Sequence, residues 1–323
     1  MTTEPDSDLA ATVAAVTAGQ IRAGTRLISR IERGDDGVTP ILRALFLHGG
    51  HGRVIGVTGP PGAGKSTLIN RMVGHWRRQG RSVAVLAIDP SSPFTGGAVL
   101  GDRLRMGDHS GDPGVFIRSM ASRGQLGGLA RAAGDALTVL EAMPWDVVLV
   151  ETVGVGQNET DVMRHAAVVV LLQTPMGGDD IQAAKAGITE IGDIFVVNKS
   201  DHPDAERTAR YLEDMLSLSQ RLHGDRSWHP PVVRTRAASG AGVEDLAAQI
   251  DRCFATLAAH PELARARMAE RVRHRVTEIL RHQLDRRLKS EASPLLDPLI
   301  EPVLARRGDP YAVADELLAR MFA

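Results

Sequence analysis

The stretch Gly59-Pro60-Pro61-Gly62-Ala63-Gly64-Lys65-Ser66-Thr67 constrains the fold of this chain more than any other. It satisfies G-x-x-x-x-G-K-[ST], follows the apolar run Val54-Ile55-Gly56-Val57-Thr58, and opens a helix-compatible run from Lys65 towards Arg77. Strand, glycine-rich turn and helix in that order are the setting in which the pattern cradles phosphate. The glycines let the backbone curl so that successive N–H groups point at phosphate oxygens, and the positive end of the new helix favours the same charge. In such a loop Lys65 reaches the β- and γ-phosphates and the Ser66 hydroxyl ligates Mg²⁺. A glycine-rich turn without a ligand is the bland alternative, and the lysine, serine, strand and helix together weigh against it.

A chain of 323 residues exceeds one typical domain, which suggests a large α/β domain with helical additions. The formal net charge of −1 offers no electrostatic case for nucleic acid as a partner. Cys253 is the sole cysteine, so no intramolecular disulfide forms, and a reducing cytosol fits. It sits in a helix-like run beside Phe254, where a packed thiol is the natural expectation. No apolar run approaches the roughly 18 to 20 residues of a membrane span, and residues 1–8 lack the basic and apolar regions of a signal peptide. The expectation is a cytoplasmic protein with no membrane partner. Aromatic residues make up only 3%, so Val, Leu, Ile and Ala must build the core, with few platforms for stacking bases.

Strand-like runs at 54–58, 83–88, 115–118, 147–151, 168–173, 194–198 and 232–235 alternate with helix-like runs at 65–78, 126–142, 181–185, 204–222 and 243–256. Aliphatic strands alternating with helices predict an α/β P-loop NTPase fold: a mostly parallel sheet covered by helices on both faces, with helical N- and C-terminal extensions. The expected divisions are an N-terminal helical extension over 1–50, a nucleotide domain over 51–260, and a C-terminal helical arm over 261–323 that serves self-association. Residues 9–32 carry apolar positions at helical spacing and suggest two helices, with a third over 40–47. His48 and His51 flank Gly49-Gly50 and read as loop residues, because two histidines without further ligands make no metal site. In the C-terminal arm, 262–289 and 311–322 read as helices, and the proline-punctuated segment 293–302 reads as a turn between them.

Ligands of such sheets bind at the carboxyl ends of the strands. Ile88-Asp89 and Val150-Glu151 close two of them, and an acid after an aliphatic strand is the expected carboxylate for Mg²⁺ and its waters. For Asp89 the alternative is a cap on the following turn. In Glu151-Thr152-Val153-Gly154 the glycine N–H can meet a γ-phosphate and sense its loss, which makes the loop a switch as much as a catalyst. Asn198-Lys199-Ser200-Asp201 follows the sixth strand. There the Asp201 carboxylate accepts from guanine N1–H and the 2-amino group while Asn198 serves the guanine edge and neighbouring loops. Adenine lacks that donor pair, so the base expected is guanine and the ligand GTP or GDP. Ala237-Ala238-Ser239-Gly240 can supply a backbone N–H to the guanine carbonyl oxygen.

The blocks Asp89-Pro90-Ser91-Ser92-Pro93-Phe94-Thr95-Gly96-Gly97, Leu100-Gly101-Asp102-Arg103-Leu104-Arg105-Met106, Arg123-Gly124-Gln125-Leu126-Gly127-Gly128 and Glu151-Thr152-Val153-Gly154-Val155-Gly156-Gln157 resemble the G-protein chaperones of methylmalonyl-CoA mutase, the MeaB group formerly called ArgK or LAO/AO transport proteins. The resemblance runs from about residue 20 to the C-terminus. It implies a homodimeric GTPase that gates adenosylcobalamin loading and release of inactivated cofactor in an acyl-CoA mutase, the mutase and not this chain binding the cobalamin. By matching motif it implies catalytic roles for Lys65, Asp89, Glu151 and Gly154. Phosphate and guanine contacts would come from Gly59, Gly62, Ala63, Gly64, Lys65, Ser66, Thr67, Asn198, Lys199, Asp201, Ala237 and Ala238, and a metal set from Ser66, Asp89, Asp102 and Glu151. The segment from Gln173 through Gly177-Gly178-Asp179-Asp180 to Lys185 resembles a further switch loop that signals to the mutase.

Ras-like proteins place a water-orienting glutamine directly after the switch glycine. Here Val155 follows Gly154 and the nearest glutamine is Gln157, so slow intrinsic hydrolysis responsive to a partner is expected. Arg103 and Arg105 can approach phosphate charge, or equally form ion pairs. A kinase of a transport-system binding protein is the competing function, although no acceptor pocket with a catalytic base is evident. A metal-insertion chaperone would need Cys/His clusters, which one cysteine and scattered histidines do not supply.

Overall fold

All seven aliphatic runs pair into one parallel sheet of order β3-β2-β4-β1-β5-β6-β7 in the computed structural model. The strands are β1 (Arg53–Thr58), β2 (Val83–Pro90), β3 (Val115–Ser122), β4 (Val147–Thr152), β5 (Val168–Gln173), β6 (Ile194–Val197) and β7 (Val232–Arg234). The structure describes all residues except 1–3, 51, 91–106, 110, 123–127, 153–160, 176–191, 224–226, 289, 291–292 and 323. Two compact units make up the chain, Met1–Val272 and Arg273–Ala323.

In the first unit, β1 lies at the centre with β4 on one side and β5 on the other. The chain therefore builds outward from β1 in one direction and, after β4, crosses to build in the other. That reversal opens a crevice at the carboxyl end of β1, where ligands of open α/β sheets bind. Central strands β4, β5 and β6 are buried at every position, which explains their unbroken aliphatic sequences.

Helices cover both faces. On one face α4 (Lys65–Arg78) sets Leu68, Ile69, Met72, Val73 and Trp76 against Ile55, Val57, Val85, Leu149 and Val170. Each such fully buried large side chain contributes about 1.5–3 kcal/mol through the water-exposed area it removes. On the other face lie the N-terminal helices α1 (Glu4–Thr17), α2 (Ile21–Glu32) and α3 (Thr39–Phe46) together with α5 (Gly128–Ala142). Leu27, Ile28, Ile31, Ile41 and Leu45 share a core with Leu137, Leu140, Val148 and Val150. Edge strand β3 is tied to α2 by Arg118, which pairs with Glu32 and donates to the Ser29 hydroxyl at 3.1 Å.

Two further helices, α6 (Ala205–His223) and α7 (Val243–Ala259), close the sheet, with α6 on β5 and β6 through Leu171, Phe195 and Val197. At the amino end of β6 the largely buried Asp193 accepts the Val169 N–H at 2.9 Å and pairs with Arg267 at 2.7 Å. Burial pushes its carboxyl up, against the pull of the Arg267 guanidinium. The Cys253 thiol on α7 is buried and pushed up to about 12, chiefly by desolvation and further by the Asp193 charge. The expected packed thiol is found.

The remaining helices are α8 (Pro261–Arg287), α9 (Ser293–Leu304) and α10 (Pro310–Phe322). Here the structure corrects the expectation of a turn over 293–302, because α9 is helical through Pro298 and Pro302. Pro298 and Pro302 are four residues apart and so share one side of the helix, whose missing N–H donors are confined to that side. Leu296 and Leu299 pack with Val313, Leu317 and Met321 of α10, and this contact holds the helix. No helix among the described residues is long and apolar enough to cross a membrane.

Candidate functional site

The phosphate-loop sequence lies where the sheet reverses, between the end of β1 and the start of α4. Gly59 has φ +147°, and a Cβ there would collide with the Leu172 carbonyl oxygen of β5. Gly64 caps α4 in the left-handed region, φ +90° and ψ +26°, with Asn198 packed where a side chain would stand. Only glycine accepts both demands. Lys65 is buried, and its ammonium donates to the Gly59 carbonyl at 2.7 Å and the Pro60 carbonyl at 3.1 Å. The cation thus lies along the loop whose N–H groups are expected to meet phosphate. Gly62 also has positive φ, Ala63 is buried, and Thr67 is exposed on the first turn of the helix.

Glu151 is 1% exposed, and its Oε1 accepts the Ser66 hydroxyl at 2.6 Å. The register explains the meeting: Glu151 pairs with Val57 of β1, and the two-residue period sets it on the face of Val147 and Leu149, beneath α4. On the opposite face the Thr152 hydroxyl donates to that of Thr58 at 3.2 Å. The backbone of Asp89 lies at the carboxyl end of β2, where it pairs with Ala121 of β3. A hydroxyl and a carboxylate are the hard oxygen donors that suit Mg²⁺, so the residues present fit that ion. Asp102, Gly154, Arg103, Arg105, Gln157 and the switch-like segment 176–185 lie outside the described residues.

At the end of β6, Asn198 is 2% exposed and joins two loops. Its amide nitrogen donates to the Ala63 carbonyl at 2.7 Å, while its oxygen accepts the Thr235 hydroxyl and the Ala237 N–H, each at 3.0 Å. The phosphate loop and the loop after β7 are therefore fixed to one side chain. Lys199 has φ +56°, a left-handed position that turns the chain so that Asp201 follows on the exposed rim. Asp201 pairs with Arg236 at 3.3 Å. Sequence reasoning missed Thr235 and Arg236. Thr235 reads as an ordinary strand residue and Arg236 as a surface charge; no local pattern marks either of them.

A family model described as the methylmalonyl Co-A mutase-associated GTPase MeaB matches residues 22–293. The chain belongs to the MeaB family. A Pyrococcus horikoshii protein provisionally named a GTPase is 43% identical over 303 residues, covering 94% of this chain and 95% of the relative. The Escherichia coli GTPase ArgK is 40% identical over 228 residues, 70% of this chain and 68% of its own length. In mouse, a mitochondrial protein named methylmalonic aciduria type A homolog is 40% identical over 196 residues, 59% of this chain and 46% of its own. Among solved structures, an LAO/AO transport system kinase superposes with TM-score 0.71 at 25% identity over 100% of both chains. The expected P-loop NTPase fold is thereby borne out, and so is the resemblance to MeaB. As a MeaB-family member the chain is a P-loop GTPase, and guanine nucleotide is its ligand class.

Proposed function

We propose that this chain is a GTP-switched chaperone of an adenosylcobalamin-dependent acyl-CoA mutase, methylmalonyl-CoA mutase by preference, hydrolysing GTP slowly alone and faster when engaged. The observation that carries the nucleotide half is the position of Asn198 between Ala63 and Ala237, since it locks a phosphate loop to a base loop. Support for the partner comes from the family description and from the name of the mouse relative.

In this reading the N–H groups of residues 59–67 and the Lys65 ammonium hold the β- and γ-phosphates. Ser66, Glu151, Asp89 and Asp102 hold Mg²⁺, which neutralises charge developing on the phosphates when bound. Gly154 reports the γ-phosphate, and Asp201 with Lys199, Ala237 and Ala238 selects guanine. Cobalamin stays with the mutase. The chain works in the cytoplasm as a homodimer through its arm 261–323. Val276, Ile279, Leu280 and Leu284 support self-association, because they form an exposed apolar stripe at helical spacing.

Phosphate release from GTP by the purified chain, measured with and without such a mutase, tests the proposal. Acceleration by the mutase is expected, and Lys65→Ala abolishes it. A mutase that leaves the rate unchanged overturns the partner assignment, and equal binding of ATP overturns the base assignment. The name of the matched kinase structure favours one alternative, phosphorylation of a transport protein. Incubation with γ-labelled GTP separates the two, because a kinase leaves label on protein.

A further inference from the structure

We propose that Arg71 is a positioning residue for guanine recognition, holding the Ala237-Ala238 loop so that the Ala238 N–H faces the 6-oxo group of the base. The proposal rests on the guanine-nucleotide reading above and adds a determinant that no motif contains.

Arg71 lies on α4, the helix whose first residues are Lys65 and Ser66. Its Nε donates to the Ala237 carbonyl at 3.2 Å, and its Nη2 donates to the Ala238 carbonyl at 2.7 Å. One planar guanidinium thus grips two successive carbonyls, which a lysine ammonium with its point charge and flexible stem cannot match. The peptide group is planar and trans, so the Ala237 carbonyl and the Ala238 N–H belong to one rigid plane and point in opposite directions. Drawing that carbonyl towards α4 aims the Ala238 N–H away from it.

The other amides of the loop are already committed. Ala237 N–H goes to Asn198, that of Ser239 goes to the Arg236 carbonyl at 3.0 Å, and that of Gly240 is shared between the Arg236 carbonyl at 2.9 Å and the Ala237 carbonyl at 3.3 Å. Among the described residues the Ala238 N–H is the amide of this turn without an acceptor. Arg71 itself is solvent-exposed, where water would serve the same carbonyls equally well. The bonds therefore contribute little to stability, and their consequence is the orientation of one donor. Because the same helix also starts the phosphate loop, Arg71 fixes the base loop relative to the phosphates.

The test is a cycle of two proteins and two ligands, read by calorimetry on the full chain. GDP is compared with 6-thio-GDP, which keeps the N1–H and 2-amino donors but replaces the 6-oxygen by sulfur, a weak acceptor. Wild type is expected to prefer GDP by about tenfold, the value of one well-placed hydrogen bond. Arg71→Ala is expected to bring the two ligands within about twofold, with Arg71→Lys between and the Tm nearly unchanged. A full preference for GDP surviving in Arg71→Ala overturns the proposal, as does an equal loss for both ligands, which would mark general loosening. Failure of the underlying reading has a separate signature: wild type would then bind ADP as well as GDP.

Discussion

The Ser66 hydroxyl donates a 2.6 Å hydrogen bond to the Glu151 carboxylate, joining the first turn of α4 to the end of β4. These are two of the oxygen donors proposed for Mg²⁺, brought together across the β1–β4 register. Glu151→Gln retains an oxygen to accept from Ser66 and removes the charge. GTP hydrolysis is expected to fall about a hundredfold, the scale for losing one electrostatic partner of a transition state. Affinity for GDP should change far less. Phosphate release and titration with a fluorescent guanine nucleotide check the two effects separately; parallel losses would make Glu151 a structural residue.

Asn198→Ala removes one buried donor and one buried acceptor that together serve Ala63, Thr235 and Ala237. Leaving such groups unpaired costs about 3 kcal/mol in total. A fall in Tm of roughly 5–10 °C follows for a unit of this size. Guanine nucleotide affinity should drop at least about tenfold, since the two loops lose their common anchor. Thermal melting and nucleotide titration are the measurements, and an unchanged Tm would contradict the buried network.

Asp201 and Arg236 form an ion pair at 3.3 Å in which both side chains are about half exposed. Such a pair contributes at most about 1 kcal/mol, so Asp201→Asn is expected to leave the Tm nearly unchanged. Its effect falls on the base. An amide can donate to the 2-oxo group of xanthine, where the carboxylate accepted from the 2-amino group of guanine. Preference should move from GTP towards XTP by about a hundredfold, read from competition binding. Retained preference for GTP would remove Asp201 from the base site.

Cys253 links burial to pH. Its thiol is pushed from 9.0 up to about 12, so the folded chain keeps a proton that the unfolded chain loses in between. The stabilisation is fully present below about pH 9 and is lost as pH rises from there towards 12. Urea unfolding at pH 8, 9.5 and 10.5 should show a steeper alkaline loss for wild type than for Cys253→Ala. At neutral pH an aromatic disulfide reagent should label the thiol only after unfolding. Rapid labelling of the native chain would place the side chain outside the core.

Local patterns in the sequence determined the order of strands and helices, the phosphate loop and the base motif. The aliphatic strands are legible because the inner strands of a doubly covered parallel sheet have no polar face. Gly59 and Gly64 are legible because their backbone conformations exclude other residues. The prolines of α9 misled for a matching reason: propensity is local, whereas the packing of Leu296 and Leu299 on α10 is not.

Tertiary structure alone decided which strands are neighbours, and with that, which strand-end acid meets Ser66. Glu151 and Asp89 read alike in sequence, and the insertion of β4 between β2 and β1 is what sets Glu151 beneath α4. It also decided that Asn198 turns inward to Ala63 and that Arg71 reaches the carbonyls of Ala237 and Ala238. Periodicity and turn chemistry describe a residue and its near neighbours along the chain. These contacts join residues 85 to 167 positions apart, and they exist only once the sheet order has brought the strand ends to one edge.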